Sequence, residues 1–373
     1  YLPTGNATPD YWGSHRTPES ERYSASVVAL DIATGRERWR FQTVHHDLWD
    51  YDVPSQPMLI DFPSASGPIP ALIQLTKRGQ IFVLDRRNGA PLTKVEERPV
   101  PQGAEKGEWT YPTQPYSVGM PAPGAQPLSE KKMWGVTPFD QLYCRIAFRK
   151  LRYEGDFTPT GMKPSLQYPG NGGGMNWGSG AYDASTGRLV TVDMRMPITV
   201  RLVPARRPGL NPASVPNRDP RNLIGVPYES QNEWLVSPLQ VPCMQPPHGV
   251  LTAIDLKSRK VAWEVPLGSA ETAGPLGTYS GLPIPLGTFG LGGPIATGAG
   301  LVFHASTADP YLRAYDTATG KVIWKDRLPV GVGGTPMTYV SPRTGRQYVA
   351  VSAGGARRMK ERGDYIIAYA LEK

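Results

Sequence analysis

Five segments of the sequence share one pattern: ALDIATGRERW (29–39), VLDRRNGAPL (83–92), AYDASTGRLV (181–190), AIDLKSRKVAW (253–263) and AYDTATGKVIW (314–324). Each runs from a small or apolar residue through an apolar one to Asp. A turn centre follows, usually Thr-Gly or Asn-Gly, and then a second apolar stretch. Three copies close on tryptophan, at Trp39, Trp263 and Trp324. This is the pattern of a β-hairpin. Glycine supplies the positive φ of the tight turn, the Asp side chain accepts from turn N–H groups, and the indole ends the return strand in an apolar contact. A single copy says little, but five predict repeated antiparallel sheets, the blades of a β-propeller. The expected fold class is therefore all-β, with five to six blades in this chain. The copies begin 54 to 98 residues apart, so long loops separate them, and the Pro-rich stretch from about 93 to 170 is the largest insertion.

A blade buries its faces only against its neighbours, so an incomplete ring leaves two apolar faces uncovered. The chain opens on YLPTGN, with no initiator Met. Together these give the expectation that residues 1–373 are the C-terminal part of one propeller domain whose first blades precede the sequence.

Composition narrows the function classes. The 41 Gly and 40 Pro would suggest disorder in an aromatic-poor chain, but 9 Trp and 18 Tyr mark an ordered, turn-dense protein. The net charge of +8 comes from scattered Lys and Arg, and the tightest basic cluster is ARRMKER (356–362). A nucleic-acid face would show a basic stripe interleaved with aromatics, so no nucleic-acid partner is expected. No apolar run approaches the ~20 residues of a membrane span. The two cysteines, Cys144 and Cys243, could pair in an oxidising compartment or stay as buried thiols. The five His show no zinc-type spacing, and there is no C-x-x-C-H for haem attachment.

The hairpins, with TGN near the start, WDYD, and TKRGQIFVLDRRNG, resemble the quinoprotein alcohol dehydrogenases. Those are eight-bladed propellers that bind pyrroloquinoline quinone (PQQ) and a divalent metal. HHDLWD, PVPQGAEKGEW, PTQPYS, MWGVTPFDQLYCR, RYEGDFTP, TADPYLRAYD and PMTYVSPRTGRQYVAVSAGG resemble the membrane-bound glucose/quinate/shikimate branch. The likeness runs over essentially the whole chain. It implies a periplasmic catalytic domain tethered by an N-terminal anchor, with electrons passing from PQQ to ubiquinone.

The resemblance also implies roles. Asp50, after Trp49 in HHDLWDYD, would be the general base that takes the alcohol proton. Lys77 would contact the quinone carbonyls and stabilise their developing charge. Asn6 would ligate the metal with Asp50, and Asp52 lies two residues on, on the same side of an extended segment. Ca²⁺ is the implied metal and Mg²⁺ a second; the extra carboxylate of Asp52 raises a lanthanide only as a minor reading. Asn176, in GGGMNWG, would bind PQQ, and Asp309, in TADPYLRAYD, would border the pocket unless it serves only as a turn residue. His45, His46 and Asp47 read as supporting or turn residues.

One departure bears on the substrate. Where glucose-oxidising relatives carry His after SAGG, this chain has Ala356 followed by Arg357 and Arg358. Two guanidinium groups suit a carboxylate-bearing substrate, because Arg pairs carboxylates bidentately. Quinate or shikimate is the expected substrate, glucose or another polyol the alternative. A non-catalytic scaffold propeller that binds protein partners is the reading from a different class. Such a scaffold has no reason to keep Asn6, Asp50 and Lys77 together.

Overall fold

The computed structural model describes residues 1–205, 226–356 and 360–371, and it is a β protein throughout. Two compact units divide it. One comprises Tyr1–Pro57, Leu72–Gly174 and Met196–Gln245; the other comprises Met58–Ala71, Met175–Arg195 and Pro246–Lys373.

The repeated hairpins form as the pattern requires. Asp31 Oδ1 accepts from the N–H groups of Ala33 and Thr34, and Asp316 Oδ1 accepts from Thr319 N and Oγ1. The turn glycines Gly35, Gly89, Gly187 and Gly320 all take positive φ. In each copy that ends on Trp, the indole stands across the strand pair from an alanine: Ala29 from Trp39, Ala253 from Trp263, Ala314 from Trp324. The small partner makes room for the large one, and a bulge follows immediately after each alanine.

Two of the indoles then reach another copy of the repeat. Trp39 Nε1 donates to Arg86 O at 3.1 Å, and its ring lies over Gly89, where an added Cβ would come within 2.6 Å. In the other unit Trp263 Nε1 donates to Thr317 O at 2.9 Å over Gly320, where a Cβ would come within 2.7 Å. The turn glycine therefore does two things. It permits the left-handed backbone, and it leaves a flat seat for the preceding indole.

The copies do not each mark a separate sheet. The third and fourth share one, ordered Gly180–Asp183, Arg188–Met194, Gly249–Asp255, Lys260–Pro266. The expectation of one blade per copy is corrected accordingly. The residues between these two hairpins supply strands to the other unit, where Ser165–Gln167, Ile198–Pro204 and Tyr228–Trp234 pair. The fifth copy gives the four-stranded sheet Ile295–Thr297, Leu301–His304, Tyr311–Asp316, Val322–Arg327. A further sheet of Met337–Val340, Gln347–Ala353 and Tyr365–Tyr369 turns at SPRTGRQ, where Ser341 stands in place of the Asp. With Leu2–Pro3/Ser26–Leu30/Glu37–Gln42 and Met58–Phe62/Ile69–Leu75/Ile81–Asp85, the described residues form six sheets of three or four strands.

The 93–170 insertion is structured. It holds the hairpin Val95–Pro99/Thr113–Ser117 and the helix Pro138–Lys150, which Thr137 caps by accepting from Asp140 N. Cys144 on that helix is disulfide-bonded to Cys243, which closes the question the sequence left open.

Replacing Gly320 with Ala should cost roughly 2–4 kcal/mol, because backbone strain adds to overlap with Trp263. Gly345, with φ +65° and nothing within 4 Å of its position for a Cβ, should cost only the strain. Urea denaturation of Gly320→Ala and Gly345→Ala side by side measures the difference, and equal costs would remove the indole seat.

Candidate functional site

The segment HHDLWDYD lies in the first unit and is held from several sides. Asp47 is fully buried, with Oδ1 accepting from Trp49 N and Oδ2 from Tyr51 N at 2.8 and 2.7 Å. Burial pushes its pKa up to about 6 against those two hydrogen bonds. Trp49 Nε1 donates to Thr158 O, and Tyr51 Oη donates to Pro169 O. Both rings pack edge-on against Phe157. Between these two anchored aromatics Asp50 takes φ +57°, a left-handed conformation that an Asp tolerates better than most residues.

That strained backbone directs Asp50 at Lys77. The Lys77 Nζ donates to Asp50 Oδ1 at 2.8 Å and to Asp50 O at 3.0 Å, and it forms an ion pair with Asp52. Asp50 and Asp52 thus meet one cation. The reason is not the extended alternation expected from sequence, because Asp50 is not extended. Lys77 stands in the turn TKRG, where Gly79 takes φ +74° and Thr76 Oγ1 donates to Gln80 O.

The electrostatics follow from burial. Asp50 is pushed up to about 7, first by desolvation and then by the charges of Asp52 and Asp47, while Lys77 pulls it down. Desolvation works against the Lys77 ammonium, but the two carboxylates outweigh it and raise its pKa above the ordinary value. Asn171 Nδ2 donates to Asp50 Oδ2 at 3.3 Å and to Tyr11 Oη at 3.1 Å. Tyr11 is a buried phenol whose pKa is raised by desolvation and by Asp50.

Asn6 Nδ2 donates to Asp10 Oδ1 at 2.7 Å, so its oxygen is the end a cation would meet. Asp52 Oδ1 is buried with only the Lys77 ammonium against it and no aligned hydrogen bond. The donors here are all oxygens, which suits a hard cation such as Ca²⁺ or Mg²⁺. Among the described residues no group of three or more His, Cys, Asp or Glu is placed to hold a metal ion.

Asn176 and Asp309 lie in the second unit. Asn176 Oδ1 accepts from Trp177 N, and Trp177 lines a cavity of about 280 Å³ with Phe289, Ser306, Thr307, Gly290, Gly333 and Gly355. Asp309 is fully buried and accepts from Ser269 N and Oγ, Thr307 Oγ1, and both terminal nitrogens of Arg313. Desolvation would raise its pKa, but Arg313 holds it below the ordinary value. These hydrogen bonds make Asp309 an anchor of its turn. Arg357 and Arg358 lie outside the described residues.

A network that sequence reasoning missed braces the back of the segment. His46 Nδ1 meets Glu21 and Nε2 meets Glu108, at 3.1 and 3.0 Å, and Trp109 stacks on the imidazole at 3.7 Å. Arg16, fully buried, pairs with Glu21 and donates to Asp47 O at 2.7 Å. The partners of His46 lie 25 and 62 residues from it, so no local spacing could have revealed them.

Desolvation would lower the His46 pKa, but Glu108 and Glu21 raise it above the ordinary value. Its pairing should therefore stabilise the fold fully below about pH 6.5 and fade as pH rises through the higher folded value. Denaturation of wild type and His46→Gln at a series of pH values should show a deficit of about 2–3 kcal/mol at pH 6 that shrinks by pH 9. A constant deficit would mean that the imidazole contributes shape alone.

The family model described as PQQ: glucose/ethanol/alcohol dehydrogenase, β-propeller domain, matches residues 1–349. The chain is 48% identical to a quinate/shikimate dehydrogenase (quinone) of Acinetobacter baylyi, over 100% of this chain and 47% of that protein. It is 44% identical to the quinoprotein glucose dehydrogenase of Escherichia coli, again over 100% of this chain and 47% of the relative. Among solved structures, the quinohemoprotein alcohol dehydrogenase from Comamonas testosteroni aligns with TM-score 0.60 at 24% identity, covering 99% of this chain and 46% of that one. The chain spans about half the length of the curated relatives it matches.

Proposed function

The chain belongs to the family of PQQ-dependent glucose, ethanol and alcohol dehydrogenases built on a β-propeller, and from that membership we propose that it oxidises a cyclic hydroxy acid of the quinate/shikimate type. The observation that carries the reading is the partly buried carboxylate of Asp50, poised near neutrality and held with Asp52 against the buried Lys77 ammonium. A scaffold propeller gains nothing from a buried lysine set against two partly buried carboxylates, since drawing charges away from water costs stability unless it serves chemistry.

In this reading Asp50 takes the hydroxyl proton of the substrate. It is competent as a base once ionised, which its pKa of about 7 allows in the neutral range. Lys77 orients the carboxylate through one hydrogen bond to Asp50 Oδ1 and holds its backbone through a second to Asp50 O. Its three donors face Asp50 Oδ1, Asp50 O and Asp52, so an oxygen of a cofactor that reaches Lys77 takes the place of one of them. PQQ, when bound, accepts the two electrons of the alcohol C–H bond as hydride. Asp50, Asp52 and Asn6 would hold the divalent cation, a Lewis acid toward the quinone oxygen. In the second unit, the cavity walled by Trp177 and Phe289 suits a planar aromatic group, with Asn176 beside it.

The substrate assignment is supported by the 48% identical quinate/shikimate relative, while the 44% identical glucose relative supports an aldose as the alternative. We further propose that electrons pass on to a membrane quinone at the periplasmic face. The Cys144–Cys243 disulfide supports an oxidising compartment. No helix among the described residues is long and apolar enough to cross a membrane.

Dye-linked oxidation by the full-length protein with PQQ and Ca²⁺ should be observed with quinate or shikimate and be weak with glucose; glucose alone would overturn the substrate assignment. Asp50→Asn should lower kcat by 10³-fold or more, on the order of the loss of a general base, while the PQQ titration is retained. Near-normal kcat would remove the base. Lys77→Ala withdraws the charge that pulls Asp50 down, so the rise of kcat/KM with pH should move to higher pH. An unmoved profile would separate Lys77 from Asp50.

A further inference from the structure

The helix Pro138–Lys150 carries two apolar faces, and only one of them is used by the fold. Its inner face presents Cys144, fully buried and bonded to Cys243, with Ala147, Phe148 and Leu151 packed into the cluster of Leu166, Tyr168 and Met244. Its outer face presents Phe139, Leu142, Tyr143 and Ile146, exposed by 85%, 54%, 47% and 46%. These four stand at i, i+3, i+4 and i+7, which places them on one stripe of the helix. A single exposed apolar residue is ordinary, whereas an aligned stripe on a fixed helix marks a contact surface. The disulfide and the inner packing fix the rotation of the helix, so the stripe cannot turn inward.

Cations frame the stripe. Arg145 and Arg149, one turn apart, run along one flank, and Lys150 stands at its C-terminal end. Lys131 and Lys132 come from the short 3₁₀ turn Glu130–Lys132, which is fastened beside the helix by Glu130 meeting Arg145 at 2.7 Å and Arg149 at 2.6 Å. All five cations are exposed. The acids of the region do not offset them. Asp140 is buried, where it accepts from Val136 N, and Glu130 is held between its two arginines. Residues 130–150 thus carry five basic and two acidic side chains, a net charge of +3 (5 − 2).

We infer that the Phe139–Ile146 face of this helix docks onto an anionic lipid surface, lying flat with its apolar stripe in the headgroup boundary and its Lys and Arg at the phosphates. A short apolar stripe with a rim of long cationic side chains is the composition of an interfacial helix. Each such cation near an anionic leaflet adds attraction on the order of 1 kcal/mol. The helix is 13 residues long, or about 20 Å, too short to span a bilayer and long enough to lie on one. A second copy of the chain is the poorer occupant, because symmetric pairing would set the same cations against themselves. The inference stands on this surface alone and does not depend on the catalytic reading.

The test uses the full-length protein with a photoreactive group introduced as Phe139→p-benzoylphenylalanine. Irradiation is carried out with vesicles of phosphatidylcholine alone and of phosphatidylcholine containing phosphatidylglycerol. A lipid adduct at least about tenfold stronger on the anionic vesicles is expected. The same label as Ile32→p-benzoylphenylalanine, on a fully exposed hairpin tip, should give none. The triple variant Lys131→Gln, Lys132→Gln, Lys150→Gln touches no packed residue, and in it the adduct should fall to the phosphatidylcholine level with Tm unchanged. A protein adduct, whether to another part of the chain or to a second copy, would overturn the lipid assignment. So would an adduct indifferent to lipid charge, or none at all.

Discussion

A carboxylate set between two buried aromatic rings must meet a cation or give up its charge, and the segment around Trp49 is organised by that requirement. Asp50 meets Lys77; Asp47 meets two backbone N–H groups; His46 meets two glutamates; Arg16 closes the set against Glu21 and the carbonyl of Asp47. Each partner comes from a different part of the sequence, so meeting the requirement ties those parts together. The loop that carries Asp50 is consequently stiff. A group held near neutrality in a stiff, largely dry setting can gain or lose a proton with little rearrangement of what surrounds it.

The hairpins were legible in the sequence because everything that makes them is local: an Asp, a glycine and an indole within eleven residues. What joins one sheet to the next was not legible. Nothing in AYDASTGRLV records that its return strand pairs with Gly249–Asp255, some sixty residues on. The count of sheets came out in range, yet the assignment of one sheet per copy did not hold. The likeness to a known family singled out Asp50 and Lys77, which local rules would have left as turn residues and which the structure brings into one ion pair. The argument that placed Asp52 beside Asp50 had the right outcome and the wrong cause, since it assumed an extended strand where the chain is left-handed.

The remaining functional groups were invisible for a physical reason. Tyr11 and Asn171, or His46 and Glu108, acquire meaning only through contacts across 62 to 160 residues. A sequence without its relatives carries no record of such contacts. Asp309 was the opposite case. Its motif pointed to a pocket residue by family likeness, and the structure adds an anchoring role through Ser269 and Arg313 that the motif did not announce.

The sheet shared by two repeat copies has a consequence for how the chain is made. Its outer hairpins form from near neighbours, but its central pairing joins Arg188 to Asp255 across a long excursion. During synthesis the strand Arg188–Met194 must wait, one edge open, until Gly249–Asp255 has been delivered. Non-local pairing of this kind is slow, and an open apolar edge is a site for wrong partners. The excursion, by contrast, finds its own partner strand in Ser165–Gln167, already made before it. The nascent chain therefore has reason to settle the excursion first and to close the shared sheet last.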